Sequence, residues 1–102
     1  MANKVCIIGS GRQGTSAGYD LVRFLEDLDL TFLDLDPLQS SKASDRINSL
    51  LGYKSKSDSF DILERDTLVD FLRPYDIFLS AVPYQLNPYL TEIAIESKTS
   101  MV

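Results

Sequence analysis

Six residues, Gly9-Ser10-Gly11-Arg12-Gln13-Gly14, follow directly on the apolar run Val5-Cys6-Ile7-Ile8 and carry the spacing G-x-G-x-x-G. That spacing has a chemical use. A helix that opens at such a turn presents unpaired N–H groups and a partial positive charge, and both suit a diphosphate. Gly9 allows the tight turn out of a strand. Gly11 removes the Cβ that would hold a pyrophosphate off the backbone, and Gly14 lets the helix lie close to the strand. Gly18, one helical turn further on, extends that close contact. Ser10, Arg12 and Gln13 complete the turn as candidate cofactor-binding positions. Arg12 has two readings: it reaches a phosphate oxygen or the adenine, or it is simply solvated at a helix start.

A second signal stands twenty residues after Gly14, where Asp34 ends the apolar stretch Thr31-Phe32-Leu33. A carboxylate at this distance accepts hydrogen bonds from adenosine ribose hydroxyls. It also repels a 2′-phosphate. No Arg or Lys follows at once to receive one, since Lys42 and Arg46 lie further along. NAD is therefore expected in preference to NADP, with Leu35 beside the acid. The plainer alternative is a surface aspartate at a strand end. Asp36, before Pro37, is read as a helix N-cap rather than a ligand. The residues Ala81, Val82 and Pro83 close another apolar run. They are expected either to line a pocket near the pyrophosphate and nicotinamide ribose or merely to end a strand. Asp61 and Ile62 can flank the adenine. Tyr84 and Gln85 can reach the substrate region.

Composition narrows the field. The 102 residues suffice for one domain, and 44% apolar with 25% charged residues is ordinary for a globular chain. A net charge of −5 with no basic cluster argues against nucleic acid and anionic membrane as partners. The sequence has no histidine and one cysteine, which removes the usual zinc ligands and the usual general base near neutral pH. No catalytic and no metal-binding residue is assigned. Cys6, within an apolar run, reads as a buried hydrophobe. A single unpaired cysteine suits a reducing, cytoplasmic compartment. Met1-Ala2-Asn3-Lys4 leads straight into a strand, so no signal peptide is expected.

These residues need a scaffold, and the sequence alternates short apolar runs with amphipathic stretches. Strands are expected over Lys4–Ile8, Leu30–Leu35, Tyr53–Ser59, Asp76–Ala81 and Thr99–Val102. Helices are expected over Arg12–Glu26, Pro37–Leu51 with Gly52 as its stop, Asp66–Leu72 and Pro88–Glu96. Asn87, like Asp36, precedes a proline and is read as a capping residue. Alternation of this kind implies a Rossmann-type doubly wound α/β fold, with about five parallel strands and helices on both faces. The residues end inside an apparent strand, so a truncated domain is expected, with residues 1–102 as the dinucleotide-binding part of a longer oxidoreductase. An open edge at the fifth strand also leaves pairing into a homo-oligomer open.

The glycine turn, Tyr19-Asp20-Leu21, Asp34 and Ser80-Ala81-Val82-Pro83 together resemble the NAD(P)-binding domain of saccharopine dehydrogenase-like proteins, the saccharopine and lysine dehydrogenases. The similarity runs over nearly the whole sequence. The resemblance implies an enzyme of amino-acid metabolism that oxidises or forms a C–N bond, passing hydride to or from a nicotinamide. It places the amino-acid substrate and the catalytic groups in a following domain. Two other classes compete. A regulatory Rossmann domain that senses nucleotide uses the same turn and acid, and so does a methyltransferase binding S-adenosylmethionine, although Gly14 and Gly18 suit a dinucleotide better.

Overall fold

The computed structural model describes residues 3–25 and 27–102. Five parallel strands, β1 (Asn3–Ile8), β2 (Leu28–Asp34), β3 (Lys56–Ser59), β4 (Ile77–Ser80) and β5 (Ser100–Met101), form one sheet in the order β3-β2-β1-β4-β5. The helices are α1 (Arg12–Phe24), α2 (Pro37–Leu51), α3 (Arg65–Leu72) and α4 (Asn87–Ser97), with a 3-10 turn over Tyr84–Leu86. The chain leaves β1 towards β2 and β3, then returns to lay β4 on the other side of β1. The order thus reverses at β1, where a crevice opens beyond the strand ends.

The core follows from the period of two along β1. Val5 and Ile7 face one side with Leu30, Phe32, Ala43 and Ile47, against α1 and α2. Cys6 and Ile8 face the other with Leu33, Phe78 and the apolar faces of α3 and α4. A sheet covered on both faces needs strands apolar on both sides, which is why these runs are continuous rather than alternating.

Several element limits differ from those expected. Glu26, the expected end of the first helix, and Met1 and Ala2, part of the signal-peptide reading, lie outside the described residues. Strand β2 begins two residues early because Leu28 and Asp29 pair with Asn3 and Lys4. Strand β3 begins at Lys56, not Tyr53. The Tyr53 hydroxyl donates to Leu28 O and accepts from Leu30 N, while Ser55 N donates to Asn48 Oδ1 at 2.7 Å. These side-chain bonds hold residues 53–55 off the ladder. Strand β4 is shorter than Asp76–Ala81, and its start is fixed by Asp76 Oδ2 accepting from Lys4 N at 2.8 Å. Strand β5 is limited to Ser100–Met101, since Thr99 Oγ1 donates to Leu72 O at 2.8 Å.

Both helix caps of α2 are as expected. Asp36 accepts from Leu38 N at 2.9 Å, and Gly52 closes the helix in the left-handed region at φ 62°. Asn87 is a correction. It does not cap α4, because the 3-10 turn over Tyr84–Leu86 runs straight into the helix and gives Asn87 helical dihedrals. Its Oδ1 accepts from Ser80 Oγ at 3.0 Å instead.

Candidate dinucleotide-binding site

The glycine turn sits at the reversal of strand order. Gly9 takes φ +96°, donates its N–H to Leu33 O at 2.8 Å, and lies against the end of β4, where Ala81 N donates to Ile8 O at 2.8 Å. A Cβ on Gly9 would stand 2.7 Å from Ala81 O. At Gly14 it would stand 1.9 Å from Gly9 O, so this glycine is required by the turn's own carbonyl as well as by Ile7. At Gly18 it would meet the Phe32 ring at 2.5 Å. Gly11 differs, because an added Cβ there meets nothing within 4 Å. The fold itself requires Gly9, Gly14 and Gly18. Only an incoming group gives Gly11 a steric reason to be glycine.

Helix α1 starts at this bare position. Gly11 is its N-cap, no side chain caps it, and no acid stands in its first turn. The first ladder bond is Thr15 N to Gly11 O at 2.9 Å. Earlier N–H groups are left to an external acceptor, as an anion site requires. Ser10 has a different part. It is 2% exposed, its N–H donates to Asp34 Oδ2 at 2.7 Å, and its carbonyl accepts from Thr15 Oγ1 at 3.3 Å. Its N–H is thus committed to the acid and not to a diphosphate.

Asp34, at the end of β2, points at the turn. Oδ2 holds Ser10 N and Oδ1 accepts from Asp36 N at 3.0 Å. Each carboxylate oxygen has a second acceptor site left for a ligand hydroxyl. The two backbone donors fix the carboxylate's plane and its position relative to Gly11.

Between these parts lies a largely apolar cleft of about 240 Å³. Gly9, Asp34 and Leu35 form one rim, Asp61, Ile62 and Leu63 a second, and Val82, Pro83 and Leu86 the far wall. Leu35 and Leu63 are 67% and 62% exposed, an apolar pair at the mouth. Asp61 Oδ1 accepts from Leu63 N at 2.9 Å and Tyr89 Oη donates to Ile62 O at 2.6 Å, so the second rim is held in shape. Leu63 and Leu86 were not singled out from sequence. The Asp61-to-Leu63 turn was the available signal for the first, and nothing local marks the second.

The remaining candidates fall elsewhere. Ala81 lies under the turn, packed with the Val5 side of the core, and does not line the cleft. Gln13 is exposed. Arg12 is exposed and faces a groove between α1 and α2. Tyr84 is 76% exposed, and neither it nor Gln85 lines the cleft. Cys6 is fully buried, and burial pushes its thiol far up, with the Asp58 charge adding to the shift. It is an inert core group. Among the described residues no His, Cys, Asp and Glu cluster can hold a metal, and no helix is long and apolar enough to cross a membrane.

A parallel sheet reversing at β1, with a glycine turn on β1 and an acid on β2, defines a Rossmann-type nucleotide-binding domain. The model of the saccharopine dehydrogenase NADP binding domain matches residues 5–102. The chain belongs to that family, an NAD(P)-binding domain of oxidoreductases.

Solved structures share the fold. Apo saccharopine dehydrogenase (L-Glu forming) from Saccharomyces cerevisiae aligns at TM-score 0.82 and 22% identity, over 98% of this chain and 21% of the yeast chain. Quinate dehydrogenase from Corynebacterium glutamicum in complex with NAD aligns at 0.68 and 23%, over 81% of this chain and 28% of its own. UDP-glucose-4-epimerase from Stenotrophomonas maltophila, with bound NAD, aligns at 0.75 and 16%, over 97% and 35%. The chain spans about a fifth of the length of the yeast enzyme. No curated protein matches its sequence.

Proposed function

We propose that residues 1–102 are the cofactor-binding domain of a longer saccharopine dehydrogenase-like enzyme acting on an amino-acid C–N bond. The observation that carries the cofactor reading is the bond from Ser10 N to Asp34 Oδ2. It joins the acid of β2 to the turn of β1, so that one ligand can meet both a ribose acceptor and free helix amides. Gly9 and Gly14 shape the turn, and Gly11 with the first amides of α1 faces the diphosphate. Asp34 takes the adenosine ribose hydroxyls. The adenine lies between Leu35 and the Asp61–Leu63 rim, and Val82 and Pro83 face the nicotinamide half.

The residues fit this group, since Gly11 leaves open space where the backbone must be approached. When bound, the nicotinamide supplies hydride transfer, and the protein supplies position. Asp34 favours NAD over NADP, because its charge opposes a second phosphate at the 2′ position. The catalytic groups and the amino-acid site belong to the rest of the polypeptide, in a cytoplasmic enzyme.

Fluorescence titration with NADH, NADPH and S-adenosylmethionine tests this. NADH binding, tighter than NADPH, with no turnover of amino acids by residues 1–102, is the expected result. Tight S-adenosylmethionine binding without response to NADH overturns it.

A further inference from the structure

The second rim and the far wall of the cleft come from different crossovers. The rim lies between β3 and α3, and the wall lies between β4 and α4. A ligand gripped by both requires the two segments to keep a fixed separation. The rim's own bonds do not set it. Asp61 Oδ1 accepts from Leu63 N at 2.9 Å and Asp61 O accepts from Glu64 N at 3.0 Å, and both bonds close within the turn.

The tie runs through α4. Tyr89 Oη donates to Ile62 O at 2.6 Å, across 27 positions of sequence. Among the described residues no other hydrogen bond joins the Asp61–Leu63 rim to α4 or to the far wall. Arg65, at the start of α3, meets Glu96 at 2.8 Å, but both ends of that pair are exposed and such pairs hold little. Ile62 and Tyr89 also pack on the core that holds Leu68 and Leu90. Apolar packing keeps the rim on the protein without directing it, whereas a short hydrogen bond fixes distance and orientation.

Leu86 completes the connection. It has helical dihedrals and stands three residues before Tyr89, and residues so spaced share one helix face. Leu86 lines the cleft from the far wall, and Tyr89 holds the opposite rim. One face of α4 therefore carries both sides. The far wall has further supports that do not pass through Tyr89. Leu86 N donates to Pro83 O at 3.0 Å, and Asn87 Oδ1 accepts from Ser80 Oγ at 3.0 Å. Removing the Tyr89 hydroxyl thus frees one side of the cleft and leaves the other.

We propose that Tyr89 is a positioning residue for the adenosine half of the dinucleotide. Through Ile62 O its hydroxyl sets the gap between Leu63 and Leu35 in which the base lies. Tyr89 does not itself line the cleft and acts through the rim. This role rests on the cofactor reading above.

The test uses Tyr89→Phe, which keeps the ring on the core and removes the donor. Beside it stands Asn48→Ala, which loosens α2 away from the cleft. Affinities for 5′-AMP and NADH are measured by amide chemical-shift titration and calorimetry. In Tyr89→Phe both are expected to weaken by one factor, roughly fivefold, because the loss lies wholly in the half that the two ligands share. Without ligand, the Leu63 amide resonance moves and that of Val82 does not. Asn48→Ala leaves both affinities within about twofold, since distant sites act independently. Full 5′-AMP affinity or an unmoved Leu63 resonance in Tyr89→Phe overturns the proposal alone. So does a larger loss for NADH than for 5′-AMP, a comparable loss in Asn48→Ala, or a Tyr89→Phe chain that fails to fold. An unmodified chain that binds neither 5′-AMP nor NADH overturns the cofactor reading and this role with it, which separates the two failures.

Discussion

Gly14 turns its bare Cα on the carbonyl oxygen of Gly9, and an added Cβ would lie 1.9 Å from that oxygen. Gly11, three residues earlier, faces open space. Two glycines of one motif thus serve different masters, the first the turn itself and the second whatever approaches it.

Alanine substitution separates them. Gly14→Ala forces backbone to move and is expected to cost about 3 kcal/mol or more, lowering Tm by roughly 10 °C or more. Gly11→Ala, at φ −73° and ψ −160°, changes stability by less than about 1 kcal/mol. It is expected to weaken NADH at least about tenfold, by placing a methyl where the diphosphate must come close. Thermal melts and calorimetry on both variants read this out. Full NADH affinity in Gly11→Ala is the result that counts against the site.

Asp34→Ala removes two hydrogen bonds to backbone donors along with the ribose acceptor. Loss of stability of about 1–2 kcal/mol and weakening of NADH by about tenfold or more are expected. Loss of the negative charge should also narrow the gap between NADH and NADPH. A widened gap in the titrations would contradict the role given to the carboxylate.

Asn48 ties α2 to the segment before β3. Its Oδ1 accepts from Ser55 N at 2.7 Å and from Ser55 Oγ at 2.9 Å. Asn48→Ala leaves these donors without their partner and is expected to cost about 1–3 kcal/mol. Urea unfolding measures it, and a change below about 0.5 kcal/mol would show the network to be dispensable.

Alkaline pH should destabilise the fold. Burial raises the Cys6 thiol from its ordinary 9.0, and burial likewise raises Tyr53, Tyr75 and Tyr89 from 10.0. The folded chain keeps these protons at a pH where the unfolded chain releases them. Their contribution is fully present below about pH 9 and is lost as pH rises beyond it. Urea midpoints should be flat from about pH 7 to 8.5 and fall by pH 10. Cys6 should react with iodoacetamide only as fast as the chain opens. Rapid labelling of the native protein would show the thiol to be accessible.

The sequence by itself determined which elements exist. Continuous apolar runs require a sheet covered on both faces, and the glycine spacing at the end of β1 requires a strand-turn-helix junction. Both signals are local, carried by residues a few positions apart. The limits of α2 were legible too, because Asp36-Pro37 and Gly52 act on their own backbone. Only the tertiary structure decided the rest. Tyr53 and Ser55 leave β3 because their partners sit on β2 and α2, and Asn87 is no cap because the chain arrives already helical. The bond from Ser10 to Asp34 and the entry of Leu63 and Leu86 into the cleft join residues distant in sequence. Such contacts have no local pattern. They exist only once chain closure has placed the groups side by side.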